Sequence, residues 1–426
     1  MGEKPSKQQR SEEMPDNYYL IQDHRVKWRM KATAGMKLFD IAILWYYCFS
    51  GSSVLRPMVN VFLVAMALVG LVIFGIRAIE IDIYIRRAFL MIVIVGITAL
   101  YSADFTSTIK YALSIFLYFI IAIEITSCKD NVHFFLKGLY VYSLILLGVT
   151  FLEKYVPDFY LSNISVLLPN KYHDRIVTFI RSESANGFYN QTSSNAIAMC
   201  LGVAVCFYRI VKRPMNKLYQ CINAIITCAF IYGVILTNKR GSVLAVALIM
   251  MIFLYSSKRN ILTKGLVILG GIAVAAWGGI ESVPFLSSLF SKNNASVLSG
   301  DITNGRIDKW EISFNLIADR PFFGYGADSS LTVFGLNSHN SIIQSLVELG
   351  FVGSIFFYLP FVYGLIETIK KFSHREKYAA DERALLVFSL FWQIYCFVNA
   401  MFEAFFSSEA SIFVLLIVQM VTMKLG

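Results

Sequence analysis

Apolar residues in this chain come in long unbroken runs, not in the alternation of a strand or the one-sided stripe of a soluble helix. The runs fall at about 37-55, 58-76, 86-103, 108-127, 132-153, 193-211, 219-237, 240-256, 261-281, 342-369, 383-402 and 407-425. Each is close to the roughly 17 to 25 residues that an α-helix needs to cross the hydrocarbon core of a bilayer. The pattern predicts an all-α polytopic membrane protein of about twelve transmembrane helices. A polar tail over 1-36 precedes a single transmembrane domain over 37-426, and two longer polar loops lie at about 156-192 and 282-341. The tail has no apolar core of the signal-peptide kind, so it is expected to be a cytosolic extension.

Composition sharpens this picture. With 57% apolar and only 15% charged residues, the chain is too apolar for a soluble domain of its length. A net charge of +10 invites a nucleic-acid reading, but the basic residues recur in short clusters between the apolar runs. Arg25 to Lys31, Arg77 with Arg86 and Arg87, Lys129 with Lys137, Arg209 to Lys217, Lys258 to Lys264, and Lys370 to Arg383 all fall on one side if the first helix starts in the cytosol. That is the positive-inside pattern for an even number of spans, and no nucleic-acid partner is expected. Membrane lipids are the expected surroundings, and both longer loops face outward. The seven cysteines lie in or at the ends of apolar runs, without metal-ligand spacing in a polar loop, and read as small buried hydrophobes.

Candidate chemistry gathers on the outer side. In the second loop Ile307, Trp310, Phe314 and Ile317 recur at helical spacing, which predicts an amphipathic surface helix from Arg306 to Ile317. Ala318-Asp319-Arg320-Pro321 ends it and Gly324-Tyr325-Gly326 reads as a turn. Of five histidines only His173 and His339 face outward. Ser338 is the expected N-cap of a helix starting near Ser341, which places His339 at a positive helix end, where a neutral imidazole able to accept a proton is favoured. A histidine there can also simply cap a helix at the water boundary. Arg181, Arg240 and Arg306 come from three separate outer elements, and Arg320 closes the surface helix. Singly each can be a snorkelling anchor; together their planar donor forks suit a phosphate or diphosphate. Glu348, nine residues past His339, is out of phase with it and is expected to hydrogen-bond within the bundle. Glu403, at the turn before the last span, is the rival to His339 as a base. With no outer Asp-x-Asp or His-rich cluster, no metal and no cofactor are expected.

Taken in order, these residues resemble the O-antigen ligase and polymerase superfamily of bacterial surface polysaccharide assembly. The resemblance is carried by Arg181 with Gly187 and Asn190, by Thr237-Asn238-Lys239-Arg240-Gly241-Ser242, and by Gly305-Arg306 with Trp310. Pro321 with Gly324-Tyr325-Gly326, then Ser338-His339-Asn340 with Glu348-Leu349-Gly350, complete it. It implies a GT-C-like fold in the bacterial inner membrane and a glycosyltransferase whose site opens to the periplasm. Such an enzyme takes a glycan from an undecaprenyl-diphosphate-linked donor and passes it to lipid A-core (ligase) or to a second lipid-linked glycan (polymerase). His339 matches the family's essential histidine, and Arg181 and Arg240 match its diphosphate-contacting arginines. Arg306, Asn340 and Glu403 are expected to support the site or position the acceptor. Lys239 before Arg240 departs from the common Ser-Arg-Gly pattern. A transporter is the alternative from another class, but its sites would lie near the midplane on repeated halves, which this chain lacks.

Overall fold

The computed structural model describes residues 33–49, 59–74, 82–169, 173–181, 184–189, 191–213, 216–256, 306–407 and 409–425. Among these residues every regular element is helical. In chain order they are α1 (Ala34–Phe49), α2 (Val59–Phe74), α3 (Ile83–Ile97), α4 (Phe105–Ile125), α5 (Lys129–Tyr155), α6 (His173–Arg181) and α7 (Thr192–Lys212). Then come α8 (Lys217–Leu236), α9 (Arg240–Ser256), α10 (Arg306–Asp319), α11 (Ser329–Phe334), α12 (Ser341–Ser373), α13 (Ala380–Ala400) and α14 (Glu409–Met423). Short helical turns fill the rest, notably over Pro157–Leu167 after α5.

Among the described residues seven helices are long and apolar enough to cross a membrane: α3 with its short continuation, α4, α5, α7, α8, α12 and α13. The expected count of about twelve is not reached among the described residues. The described lengths of α1, α2, α9 and α14 are only 15 to 17 residues, and the expected span at 261-281 lies outside the described residues, as does the tail over 1-32. Large apolar side chains such as Val61, Val72, Leu218 and Ile225 stand exposed on apolar helices. In water such surface would be a liability, whereas in lipid it is the proper face. The chain is a multi-pass membrane protein. Of the six described cysteines, Cys128, Cys200, Cys206 and Cys396 are buried, while Cys221 and Cys228 are exposed on α8.

The bundle has a clear inside. Most of α13 is buried and most of α8 is not, so α13 is central and α8 peripheral. α7 packs against α5, α8 and α13, while α12 packs against α3, α13 and α14. A buried polar seam ties the central helices together. Tyr84 of α3 donates to Gln419 of α14 at 2.8 Å. Gln419 in turn donates to the Phe361 carbonyl of α12 at 2.7 Å and to Gln393 of α13 at 2.9 Å. Gln393 donates to Thr368 of α12 at 2.6 Å and to Ser389 at 2.8 Å. Satisfied polar groups of this kind hold apolar helices together where burial alone has no preferred partner.

One interruption shapes the end of the bundle where α12 meets the segment after α10. Gly350, inside α12, has φ 64° and breaks the helix. The freed backbone bonds go to the segment after α10: Phe351 and Val352 donate to the carbonyls of Pro321 and Phe322 at 2.8 and 3.1 Å. Tyr325 and Gly326 donate back to Val347 and Glu348 at 3.0 and 2.8 Å. A Cβ on Gly324 would stand 2.6 Å from the Glu348 backbone, and one on Gly350 would stand 2.4 Å from that of Phe322. Two glycines with left-handed backbones therefore let two chain segments cross in direct contact, which fixes α10 and its following loop on α12.

Candidate functional site

The segment Asn337 to Ser341 enters α12 in an over-determined turn. His339 has φ 50°, a backbone that a non-glycine residue holds only when its surroundings insist. Its N–H donates to the Asn337 side chain at 2.9 Å. Ser338 is buried, and its N–H and hydroxyl both donate to Gln344 at 3.1 and 3.0 Å. Its carbonyl accepts from the Trp310 indole of α10 at 2.8 Å. The expected cap is displaced: Asn340, not Ser338, closes the start of α12. Asn340 has the extended backbone of an N-cap, and its Oδ1 accepts from the N–H groups of Ile342 and Ile343 at 2.9 and 3.1 Å. Its Nδ2 donates to the Met401 carbonyl at 3.2 Å, tying α12 to the turn after α13.

That turn carries Glu403. Its Oε2 lies 3.3 Å from His339 Nδ1, and its Oε1 lies 2.9 Å from Lys239 Nζ. Ser341 donates its hydroxyl to the Glu403 carbonyl at 2.9 Å, so the backbone is pinned as well. Burial alone would raise the Glu403 carboxyl, but the hydrogen bond from His339 and the Lys239 ammonium outweigh it and hold the group at about 2. A carboxylate held low is a weaker proton acceptor than an ordinary one, which favours His339 over its rival Glu403 for that role. An ionised carboxylate can only accept, so a hydrogen bond between Glu403 and Nδ1 needs the proton on Nδ1, and a neutral His339 then keeps its lone pair on Nε2. The side chains of His339 and Lys239 are 32% and 28% exposed and that of Glu403 is 16%, so the cluster sits at a surface it can share with a ligand.

Lys239 comes from the turn between α8 and α9. Asn238 has φ 57° and donates to Ser184 at 3.3 Å, and Ala185 donates to the Leu236 carbonyl at 2.9 Å. The loop after α6 therefore lies on this turn. Gly241 meets Phe402 so closely that a Cβ would stand 2.8 Å from it, which seats the start of α9 beside the Glu403 turn. Arg240 is the first residue of α9 and Arg181 the last of α6, and both are exposed. Arg306 is the first residue of α10, whose Trp310 holds the histidine loop. Asn190 and Glu183 lie outside the described residues.

The structure thus joins His339, Glu403 and Lys239 by direct contact, and joins Asn340 to the same turn. It places Arg181, Arg240 and Arg306 at the ends of the elements that build the cluster, without a side-chain contact to it. Arg320 stands 4.5 Å from the Tyr325 ring and has a structural partner. His173 is exposed at the start of α6. Glu348 turns away from His339, accepting from the Asp328 N–H at 3.0 Å, from Gln344 at 2.7 Å and from the Ser330 hydroxyl. Among the described residues no group of three or more His, Cys, Asp or Glu side chains stands close enough to hold a metal ion.

Sequence reasoning overlooked two residues. Lys239 is visible in the sequence only as a departure from the Ser-Arg-Gly pattern. Glu153 of α5 lies far from the loop it anchors, accepting from the Gly187 N–H at 2.6 Å, while Tyr160 donates to the Gly187 carbonyl at 2.7 Å.

No curated protein matches the chain. Residues 224–358 match the family model described as O-Antigen ligase, a stretch that includes Lys239, Arg240, Arg306, His339 and Asn340 and leaves out Arg181 and Glu403. The match supports the O-antigen ligase and polymerase superfamily, and with it a glycosyltransferase-like enzyme set in a multi-pass membrane protein.

Proposed function

We propose that the protein is a metal-independent, inverting glycosyltransferase of the bacterial inner membrane, working on the periplasmic side. It moves a glycan from undecaprenyl diphosphate to an acceptor hydroxyl, and the favoured reaction is O-antigen ligation onto lipid A-core in lipopolysaccharide biosynthesis. The second reading is polymerisation onto another lipid-linked glycan, and a transporter is the alternative from a different class. What supports the enzyme reading is His339: its Nδ1 is engaged by Glu403, its Nε2 is the remaining proton acceptor, and it lies within the matched family segment.

In this reading the acceptor oxygen attacks the anomeric carbon while its proton passes to His339 Nε2. The bond from that carbon to the diphosphate oxygen breaks, and the electron pair leaves with the diphosphate. Arg181 and Arg240 stabilise the charge that develops there. A single displacement without a protein nucleophile inverts the anomeric centre. Arg306 and Asn340 support the loop and the acceptor side.

Purified protein, undecaprenyl-diphosphate glycan, and either lipid A-core or no added acceptor make the deciding assay, run with and without EDTA. Glycan on lipid A-core establishes the ligase, and a ladder of lengthening lipid-linked glycan establishes the polymerase; EDTA is expected to change neither. His339→Ala is expected to abolish transfer while the protein still inserts and folds, and retained transfer removes His339 as the base. Glycolipid crossing liposome membranes without either product supports the transporter.

A further inference from the structure

Glu403 has two oxygens and each is spoken for by a different element. One meets His339 at 3.3 Å, at the mouth of α12, and the other meets Lys239 at 2.9 Å, in the turn before α9. We propose that Lys239 is a positioning residue that acts on His339 through Glu403, the pair holding the imidazole with Nδ1 protonated and Nε2 left as the proton acceptor. This rests on the reading of His339 as general base.

The geometry carries the inference in three steps. Without Lys239, Oε1 of a largely buried carboxylate loses its partner, a costly state that favours rotation of the side chain away from the ring. With Lys239 in place the carboxylate is fixed at both ends, and its backbone is fixed separately by Ser341 and by the Asn340 bond to Met401. The Lys239 charge also offsets the Glu403 charge, so the imidazole is oriented without meeting an unbalanced anion.

The other ionisable groups on the surrounding elements are few. α9 contributes Arg240, and α10 contributes Arg306, Asp308, Lys309, Glu311 and Asp319, the last of which accepts from the Tyr325 hydroxyl. On α12 itself Glu348 is engaged by Ser330, Gln344 and the Asp328 backbone. Among the described residues, Glu403 is thus the charged group in contact with the ring, and Lys239 the cation in contact with Glu403.

The test is the pH dependence of transfer in four variants, read beside a measurement that needs no activity. Lys239→Ala removes the balancing cation and leaves Glu403 favouring the charged ring, so the acid limb of the pH–rate profile should move to higher pH by on the order of one unit. Lys239→Arg should return the limb to its wild-type place. Glu403→Gln offers Nδ1 a donor as well as an acceptor, frees the tautomer, and should lower the plateau rate by about 10²-fold or more. In Lys239→Ala/Glu403→Gln the limb should sit where Glu403→Gln alone puts it. A limb that stays at the wild-type position in Lys239→Ala overturns the proposal. If Lys239→Ala does not fold, Lys239→Gln keeps a hydrogen-bond donor without charge and reads the same limb.

Nitrogen NMR of histidine-labelled protein in detergent, with His339 assigned by its loss in His339→Ala, reports the tautomer directly. A proton on Nδ1 in wild type that is lost in Glu403→Gln supports the proposal, and a wild-type ring protonated on Nε2 overturns it. If wild type transfers no glycan yet shows the Nδ1 proton, the glycosyltransferase reading fails and the positioning pair stands.

Discussion

Arg240 and Lys239 are neighbours in sequence, and the structure gives them different work. Lys239 turns to Glu403, whereas Arg240 stays exposed at the head of α9. If Arg240 grips a diphosphate by its planar fork, a lysine there supplies charge without the paired donors. Arg240→Lys is therefore expected to lose nearly as much transfer as Arg240→Ala, by about 10-fold to 100-fold for a lost charged hydrogen bond, measured as kcat/KM for the lipid donor. A fully active lysine variant would reduce Arg240 to a membrane anchor. His339 could be picked out in the sequence because few histidines fall in the loops expected on the outer side and this one opens a helix. The partnership of Glu403 with Lys239 could not, because the two are 164 positions apart and only the packing of α9 on the α13–α14 turn brings them together. Ser338 and Asn340 show a finer limit. Both are good caps, and the choice went to Asn340 because Gln344 and Trp310 claim Ser338.

At the scale of elements, the crossing of the Gly324 segment over Gly350 is what positions α10 against α12. Both glycines have positive φ and both face backbone where a Cβ would be. Gly335 has positive φ too, at 61°, but open space around it. Gly350→Ala is thus expected to cost more stability than Gly335→Ala. The latter should lose about 1 kcal/mol from backbone strain alone, and the former that plus the clash, read by thermal unfolding in detergent. Equal losses would mean the crossing can relax. The surface helix, the turn after it and the long apolar run were each readable from spacing. Their interlock was not, since Glu-Leu-Gly inside an apolar run looks like uninterrupted helix until its backbone bonds are traced to Pro321 and Phe322.

At the scale of the molecule, the apolar runs announced a membrane bundle, and the clusters of basic residues proposed its orientation. In a cysteine-free background, a cysteine at Asn163 is expected to react with an impermeant maleimide from the periplasm, and one at Lys377 is not. Reversed labelling would turn the protein over and move the site to the cytosol. Span number was tested less far: among the described residues seven helices have the length of a crossing, α1, α2, α9 and α14 are described over only 15 to 17 residues, and the run at 261-281 lies outside them. The seam from Tyr84 through Gln419 and Gln393 to Thr368 has a bearing of its own on the distant cluster. A helix that slips by one residue moves about 1.5 Å and turns about 100°, which would unmatch every donor and acceptor along that line. The seam thus works as a depth gauge for α12, α13 and α14, and the contact between Glu403 and His339 inherits its setting. Freedom to vary is unequal across the bundle: lipid-facing positions can exchange one apolar side chain for another, while a handful of glutamines and hydroxyls far from the cluster keep Glu403 and His339 in line.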